Sequence, residues 1–473
     1  MKKTFKKLFA ALLAAALVLA MAVPAFAVTN TGTNGSITID GTVSGETYTI
    51  YRMFKLDSYN GDAYSYTVED NWKTFFSTGA GSSYIDLDSN GHPTWKAEKS
   101  QDSDKAEFAK LALKWATENK VSAAAESQTS TGSDVIFSNL PLGYYLVDSS
   151  LGALCSLNTT KPDATIKEKN EKPTIEKEVK NGDTWGTTND AKIGDTVEFK
   201  ITIHVEAGAQ NYVVTDTMEK GLSFDSKTLT VTCNGATATL NSDYSLELDK
   251  NNTTFTLTFD DNYVAGKVGE TIVVTYAATL NENAVVAGNK NSATLHYGNK
   301  QTVKSETTTY TYEFDLLKVD GSDKKLLDGA EFKLYDAKND GSVIKVVPVA
   351  GGYRVSNGNE AGATETIAVT GGKVHISGLD KTTYWLEETK APDGYNMLTE
   401  RKPVDLTNGS NNTTLTSDTW SEANHGVAVE NNAGTVLPST GGMGTTLFYV
   451  VGGGLMVAAV VLLVTKKRME HKN

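Results

Sequence analysis

Through most of the stretch from residue 28 to 434, apolar and polar side chains alternate with a period of two. That is the signature of strands that bury one face. The clearest runs are 36–40, 48–54 and 144–147, then 197–205, 212–215, 255–259 and 271–276, then 332–335, 373–376, 384–386 and 427–429. Val, Ile, Thr, Tyr and Phe fill these runs, while Gly, Asn and Asp separate them, which favours short strands joined by turns. One stretch breaks the rule. Between Asp104 and Asn119, Phe108, Leu111 and Trp115 recur at helical spacing, so a helix is expected there with Trp115 facing a core. The runs fall into three groups, 28–168, 171–305 and 306–434. The expected fold is mainly all-β, with tandem immunoglobulin-like sandwiches and a helical insertion in the first domain.

The two ends depart from this pattern. Met1 to Lys7 is rich in lysine, an apolar core runs to Val23, and small residues stand at Ala25 and Ala27. These are the parts of a secretory signal peptide cleaved after Ala27. Near the other end, Leu437, Pro438, Ser439, Thr440 and Gly441 precede an apolar run from Leu447 to Val464, and Lys466, Lys467 and Arg468 follow. The run spans ~27 Å as a helix, close to a bilayer's hydrocarbon core, so a transmembrane segment is expected at 446–465. The basic tail, 466–473, would stay cytoplasmic. Pro438 keeps Leu437 extended, so the pentapeptide can lie along an enzyme groove.

Composition narrows the options. The chain has 473 residues, 39% of them hydrophobic, and only 9 Pro, which fits ordered modules better than a disordered stalk. A formal net charge of −13 argues against nucleic acid as a partner. Two cysteines, Cys155 and Cys233, serve either as core residues or as one disulfide, and no disulfide framework exists. An exported chain of this size must then be held together another way. The six histidines show no metal-ligand spacing, and no phosphate loop or nucleophile motif is present. No metal, no cofactor and no turnover of an external substrate are expected.

The strand pattern itself contains misplaced polar residues. Lys177 shares a strand face with Ile175 and Val179, and Lys318 shares one with Phe314 and Leu316. Asn431 lies on the face of Val427 and Val429, and Asn299 on that of Leu295 and Tyr297. An inward lysine is costly unless it is paired or neutral, although a lysine at a strand end can snorkel to water. Each of the later domains thus opens on an inward lysine and closes on an inward asparagine.

At this point a family resemblance becomes specific. Tyr384, Leu386, Glu388, Thr389, Ala391, Pro392, Gly394 and Tyr395 fill every defined position of the E-box YxLxETxAPxGY of Gram-positive pilins. Lys318-Val319-Asp320-Gly321 and the segment Leu327 to Tyr335 resemble the opening of a collagen-adhesin B-type domain. Lys172 to Lys177, Val214 to Thr217, Gly221-Leu222 and Asn291 to Asn299 resemble the fimbrial isopeptide-forming domain of backbone pilins. The resemblance implies Lys–Asn isopeptide bonds formed beside a buried acid: Lys318–Asn431 with Glu388, and Lys177–Asn299 with Asp216. Asn291 lies on the same strand face as Asn299 and is the second choice. Asp216 reads equally as a turn residue before Met218, and Glu387 faces away from Glu388. Burial of a lysine favours its neutral, nucleophilic form, burial of an acid its protonated form, and folding supplies the proximity.

Leu437 to Gly441 with its apolar run and basic tail resembles the LPXTG cell-wall sorting signal. It implies a sortase cutting between Thr440 and Gly441, with Thr440 passed to an amine on peptidoglycan or on an identical subunit. Thr165-Ile166-Lys167-Glu168-Lys169-Asn170 resembles the YPKN-like pilin motif, with Lys169 as the acceptor. Lys167 and Glu168 replace its Tyr-Pro, which leaves Lys167 and Lys161 as alternatives. The implied function is the shaft subunit of a sortase-polymerised surface pilus, with accessory pilins as further partners. The alternative is a monomeric wall-anchored adhesin for a host matrix or glycan ligand.

Overall fold

A computed structural model describes residues 28–29, 33–60, 63–99, 101–149, 152–156, 163–168, 171–208, 210–298, 300–358, 360–415, 417–434 and 444–470. The first domain packs a sheet containing Thr47–Asn60 and Gly143–Ser149 against a three-stranded sheet in the order Asp163–Lys167, Thr33–Asp40, Val135–Pro141. Between them lie Ile37, Ile39, Tyr48, Ile50, Phe137 and Val147. The expected helix runs Asp102–Glu118, and with Trp72, Phe75 and Phe76 it builds a second core. Trp115 joins that core, its ring 5.7 Å from Phe75.

The middle domain is a sandwich of a six-stranded and a seven-stranded sheet. Strand β1 (Thr174–Asn181) and the long Thr271–Leu280 strand belong to the first of these. Strands β2 (Val213–Met218), β3 (Asn289–Tyr297) and β4 (Ser305–Tyr310) belong to the second. Alternation along Thr196–His204 sends Val197, Phe199, Ile201 and Ile203 into the shared core, as the period of two requires. The sandwich extends beyond the expected boundary at 305. β4 pairs with β3, Asn291 opposite Thr307, and lies between β3 and the edge strand Thr188–Asp190 with Thr307 and Thr309 buried.

The third domain has two five-stranded sheets. Strand β5 (Tyr312–Asp320) lies in one, flanked by Lys373–Leu379 and by the parallel strand β7 (Val427–Asn431). Strand β6 (Thr383–Lys390) lies in the other. The junction with the middle domain is tight. The Ile193 backbone N–H donates to the Gly378 carbonyl (2.9 Å), and a Cβ on Gly378 would stand 2.5 Å from Ile193 Cδ1. Toward the first domain, Val43 packs on the middle core and the Tyr297 hydroxyl reaches Glu46.

A helix, Gly444–Glu470, ends the described chain. Its Phe448–Met469 stretch is long and apolar enough to cross a membrane, and Leu455, Val460 and Leu462 lie exposed along it. A surface this apolar without protein packed on it belongs in hydrocarbon.

Candidate cross-linking sites

The middle site forms where the two sheets face each other. β1 alternates so that Lys177 and Val179 turn inward, and β2 sends Val214, Asp216 and Met218 inward. Asp216 is therefore a strand residue; the turn begins after Met218. Lys177 Nζ donates to Asp216 Oδ2 at 2.5 Å and also contacts the Tyr276 hydroxyl. That hydroxyl donates to Asp216 Oδ2 (2.7 Å) and accepts from Asn291 Nδ2 (2.9 Å). Lys177 and Asp216 are 1% and 0% exposed, and Asn291 is 0% exposed.

An aromatic wall keeps water out. Tyr276 stacks on Phe199 (5.4 Å between centroids) and meets Phe255 edge-on (5.0 Å), and Lys177 Nζ lies 5.0 Å from the Phe199 ring. Burial pushes the Lys177 ammonium down and the Asp216 carboxyl up, each opposed by the other's charge. Both shifts favour a neutral amine beside a protonated acid. Tyr276 is held well above its ordinary value by the same burial and stays a hydroxyl. Asp216 Oδ1 and Asn291 Oδ1 are buried with no hydrogen-bond partner. An amide nitrogen and oxygen exchange places by a half-turn of the side chain, so Asn291 can present either atom to the acid.

Strand register sets which part of β3 lies level with Lys177. The Lys177 backbone N–H donates to Ser305 Oγ (2.9 Å), and Ser305 pairs with Ala293 on β3, two residues from Asn291. β3 ends at Tyr297, four residues or ~13 Å further along. Asn299, the first choice from the sequence pattern, lies outside the described residues; Asn291, the second choice, shares the Tyr276 hydroxyl with Lys177. Two strands of the middle domain, Lys300–Gln301 and β4, follow the one that carries Asn291.

The third site forms within one sheet and is capped by the other. β5 and β7 run parallel with Lys318 beside Val429, so Lys318 Nζ donates to the Val429 carbonyl (2.8 Å). Asn431, two residues on, faces the same interior, and its Nδ2 donates to both Glu388 oxygens at 2.9 Å. Glu388 reaches across from β6, with Oε1 3.9 Å from Lys318 Nζ and Oε2 accepting the Leu398 N–H (2.8 Å). Lys318, Glu388 and Asn431 are 0%, 4% and 1% exposed. Desolvation draws the Lys318 amine down to about 8 although Glu388 opposes it. Glu387 faces outward and pairs with Arg401 at 2.9 Å, as the strand alternation requires. Asn431 Oδ1 is buried and unpartnered, like that of Asn291.

Residues 193–301 match the family model for the Gram-positive pilin backbone subunit 2, Cna-B-like domain. Residues 312–419 match the SpaA prealbumin-like fold domain, and 429–471 the LPXTG cell wall anchor motif. The chain thus carries, in series, a domain similar to those of Gram-positive pilin backbones, a prealbumin-like domain and a cell wall anchor motif. A curated relative, the trypsin-resistant surface T6 protein of Streptococcus pyogenes serotype M6, is 25% identical over 296 residues, 53% of this chain and 50% of the relative. The matched part of this chain thus spans half the length of that relative. The solved T6 backbone pilin of serotype M6 S. pyogenes, of modular three-domain structure, is similar in fold. Its TM-score is 0.52 at 18% identity, with 80% of this chain and 81% of that one covered.

The remaining sequence-expected site residues fall elsewhere. Ala27, Lys161, Lys169 and Leu437, Pro438, Ser439, Thr440 and Gly441 lie outside the described residues. In the linker, Asp163–Lys167 adds a parallel strand beside Ser36–Asp40, leaving Lys167 exposed. Glu168, which stands in place of a motif residue, is buried, and its carboxylate accepts from Ser149 Oγ (2.6 Å). Cys233 is a free, buried thiol, and its Sγ donates to Glu270 Oε2 (3.2 Å). Sequence reasoning passed over Tyr276, although Ile272, Val274 and Tyr276 share the inward face of their strand and the hydroxyl was the signal.

Proposed function

We propose that this protein is the structural subunit of a sortase-polymerised surface pilus and that two autocatalytic Lys–Asn isopeptide bonds, Lys177–Asn291 and Lys318–Asn431, lock its middle and third domains. The observation that carries this reading is the repetition of one buried set, lysine with acid and asparagine, in two successive sandwiches ahead of a wall anchor motif. A lone buried lysine beside an acid is a cost that packing alone would remove. Two such sets are best explained by a product that no longer carries charge.

In each site the neutral amine attacks the Asn Cγ and the carbon–nitrogen bond to Nδ2 breaks. One proton passes from Nζ to the departing nitrogen, and ammonia leaves. Asp216 and Glu388 serve as the acids that polarise the carbonyl. The reaction occurs once per site and leaves no turnover enzyme. At the chain's end, the sortase thiol takes Thr440 as a thioester and releases the segment from Gly441. The Lys169 amine of the next subunit then resolves the thioester and regenerates the thiol, and at the base a peptidoglycan amine does so.

Immunoblots of wall extracts test the polymer. The expected result is a ladder of high-mass species that collapses to one band in Lys169→Ala. A single band from the wild-type chain removes the shaft reading and leaves a monomeric wall-anchored protein.

A further inference from the structure

The two sites differ by one group. In the third domain the asparagine amide meets its acid directly, both Glu388 oxygens accepting from Asn431. In the middle domain the Asn291 amide donates to a hydroxyl, that of Tyr276, which in turn donates to Asp216 and touches Lys177 Nζ. One oxygen atom thus contacts the nucleophile, the acid and the leaving nitrogen. We propose that Tyr276 is a third catalytic residue of the middle site, its hydroxyl relaying the proton from the attacking amine to the departing amide nitrogen.

The proposal rests on the isopeptide reading of this domain, and its proton account closes. When the Nζ lone pair bonds to Asn291 Cγ, Nζ becomes cationic and the former amide nitrogen becomes pyramidal, with a lone pair of its own. Tyr276 Oη gives its proton to that lone pair and takes one from Nζ. The carbon–nitrogen bond breaks, the oxyanion collapses to a carbonyl and ammonia departs, leaving Tyr276 as it began. Asp216 is then free to act on the oxygen. Its Oδ2 already accepts from Tyr276 and Lys177, whereas Oδ1 has no partner and can carry the acid proton to the Asn291 carbonyl. Fully buried, the phenol stays protonated beside the lysine, as a relay that must both give and accept requires. Its ring, stacked on Phe199 and edge-on to Phe255, fixes the hydroxyl in place.

The test uses the ectodomain, residues 28–434, carrying Glu388→Ala, so that any ammonia loss reports the middle site alone. Protein made by cell-free synthesis is quenched in acid at intervals, and the ~17 Da loss is followed by intact mass. Adding Tyr276→Phe keeps the ring and removes the relay, and the loss should slow at least tenfold. A second sample carries 3-fluorotyrosine in place of Tyr276, which preserves packing and makes the hydroxyl more acidic. Its rate and pH profile should both shift, which a purely packing role would not produce. A Tyr276→Phe rate equal to that of the Glu388→Ala parent, or a fluorinated protein with an unchanged profile, overturns the relay while leaving the bond intact. A parent that never loses ammonia overturns the middle-domain bond itself.

Discussion

Lys177 and Lys318 are equally hidden from water but differ in what faces them. Lys177 has a carboxyl at 2.5 Å, whereas Lys318 donates to a backbone carbonyl and stands 3.9 Å from Glu388. Desolvation outweighs the more distant Glu388 charge and brings the Lys318 amine from 10.5 to about 8. The neutral amine is the nucleophile, so the sign follows directly. At pH 7 roughly a tenth of Lys318 is neutral, against about one part in three thousand for an ordinary lysine. Bond formation in the third domain should therefore quicken with rising pH and level off above about 9. In an Asp216→Ala background, which silences the middle site, the rate of ammonia loss should rise roughly fiftyfold between pH 6 and pH 8. A flat profile across that range would remove the neutral-amine step.

Strand register decides which residues of each element meet. The period-of-two reading placed Lys177, Lys318 and Asn431 on inward faces, and the structure buries all three. It also separated Glu388 from Glu387, because adjacent residues on a strand must face opposite ways. Alternation could not settle the choice between Asn291 and Asn299, since residues eight apart on one strand share a face. Only pairing tells how far along that strand Lys177 arrives, and pairing is a long-range property. Ser305 opposite Ala293 sets the level, which favours Asn291. The same limit hid β4: its Ser-Glu-Thr-Thr-Thr-Tyr sequence carries little apolar signal, so the domain boundary was placed before it. Intact mass of the ectodomain tests the register. The wild-type chain should weigh ~34 Da less than its sequence, from two lost ammonia molecules. Asn291→Ala and Asn431→Ala should each restore one of the two losses, and Asn299→Ala should restore none. Restoration by Asn299→Ala but not by Asn291→Ala would reverse the assignment.

At the scale of the whole molecule, the two proposed bonds would define where tension travels. A pull applied at Lys169 and Thr440, the two points the proposed polymer joins, enters the middle domain along β1 and reaches Lys177 within a few residues. It then crosses covalently to Asn291, follows the chain into β5, and crosses again from Lys318 to Asn431 before leaving toward the anchor. The segments 178–290 and 319–430 lie outside that path, although they contain most of both cores. Noncovalent sandwiches can unfold under load; these would be bypassed, and the close junction at Ile193 and Gly378 would link two stiff units. The bypass has a length. Each shielded loop holds about 113 residues, and at ~3.5 Å per extended residue each would release about 40 nm if its bond were missing. Single-molecule stretching between residues 169 and 440 should give no unfolding step of that size in the wild-type chain. Asn291→Ala or Asn431→Ala should add one such step each, and the double variant two. A 40 nm step in a wild-type molecule that has lost both ammonia groups would mean that the bonds lie off the load path, and the bypass model would fail although the chemistry stood.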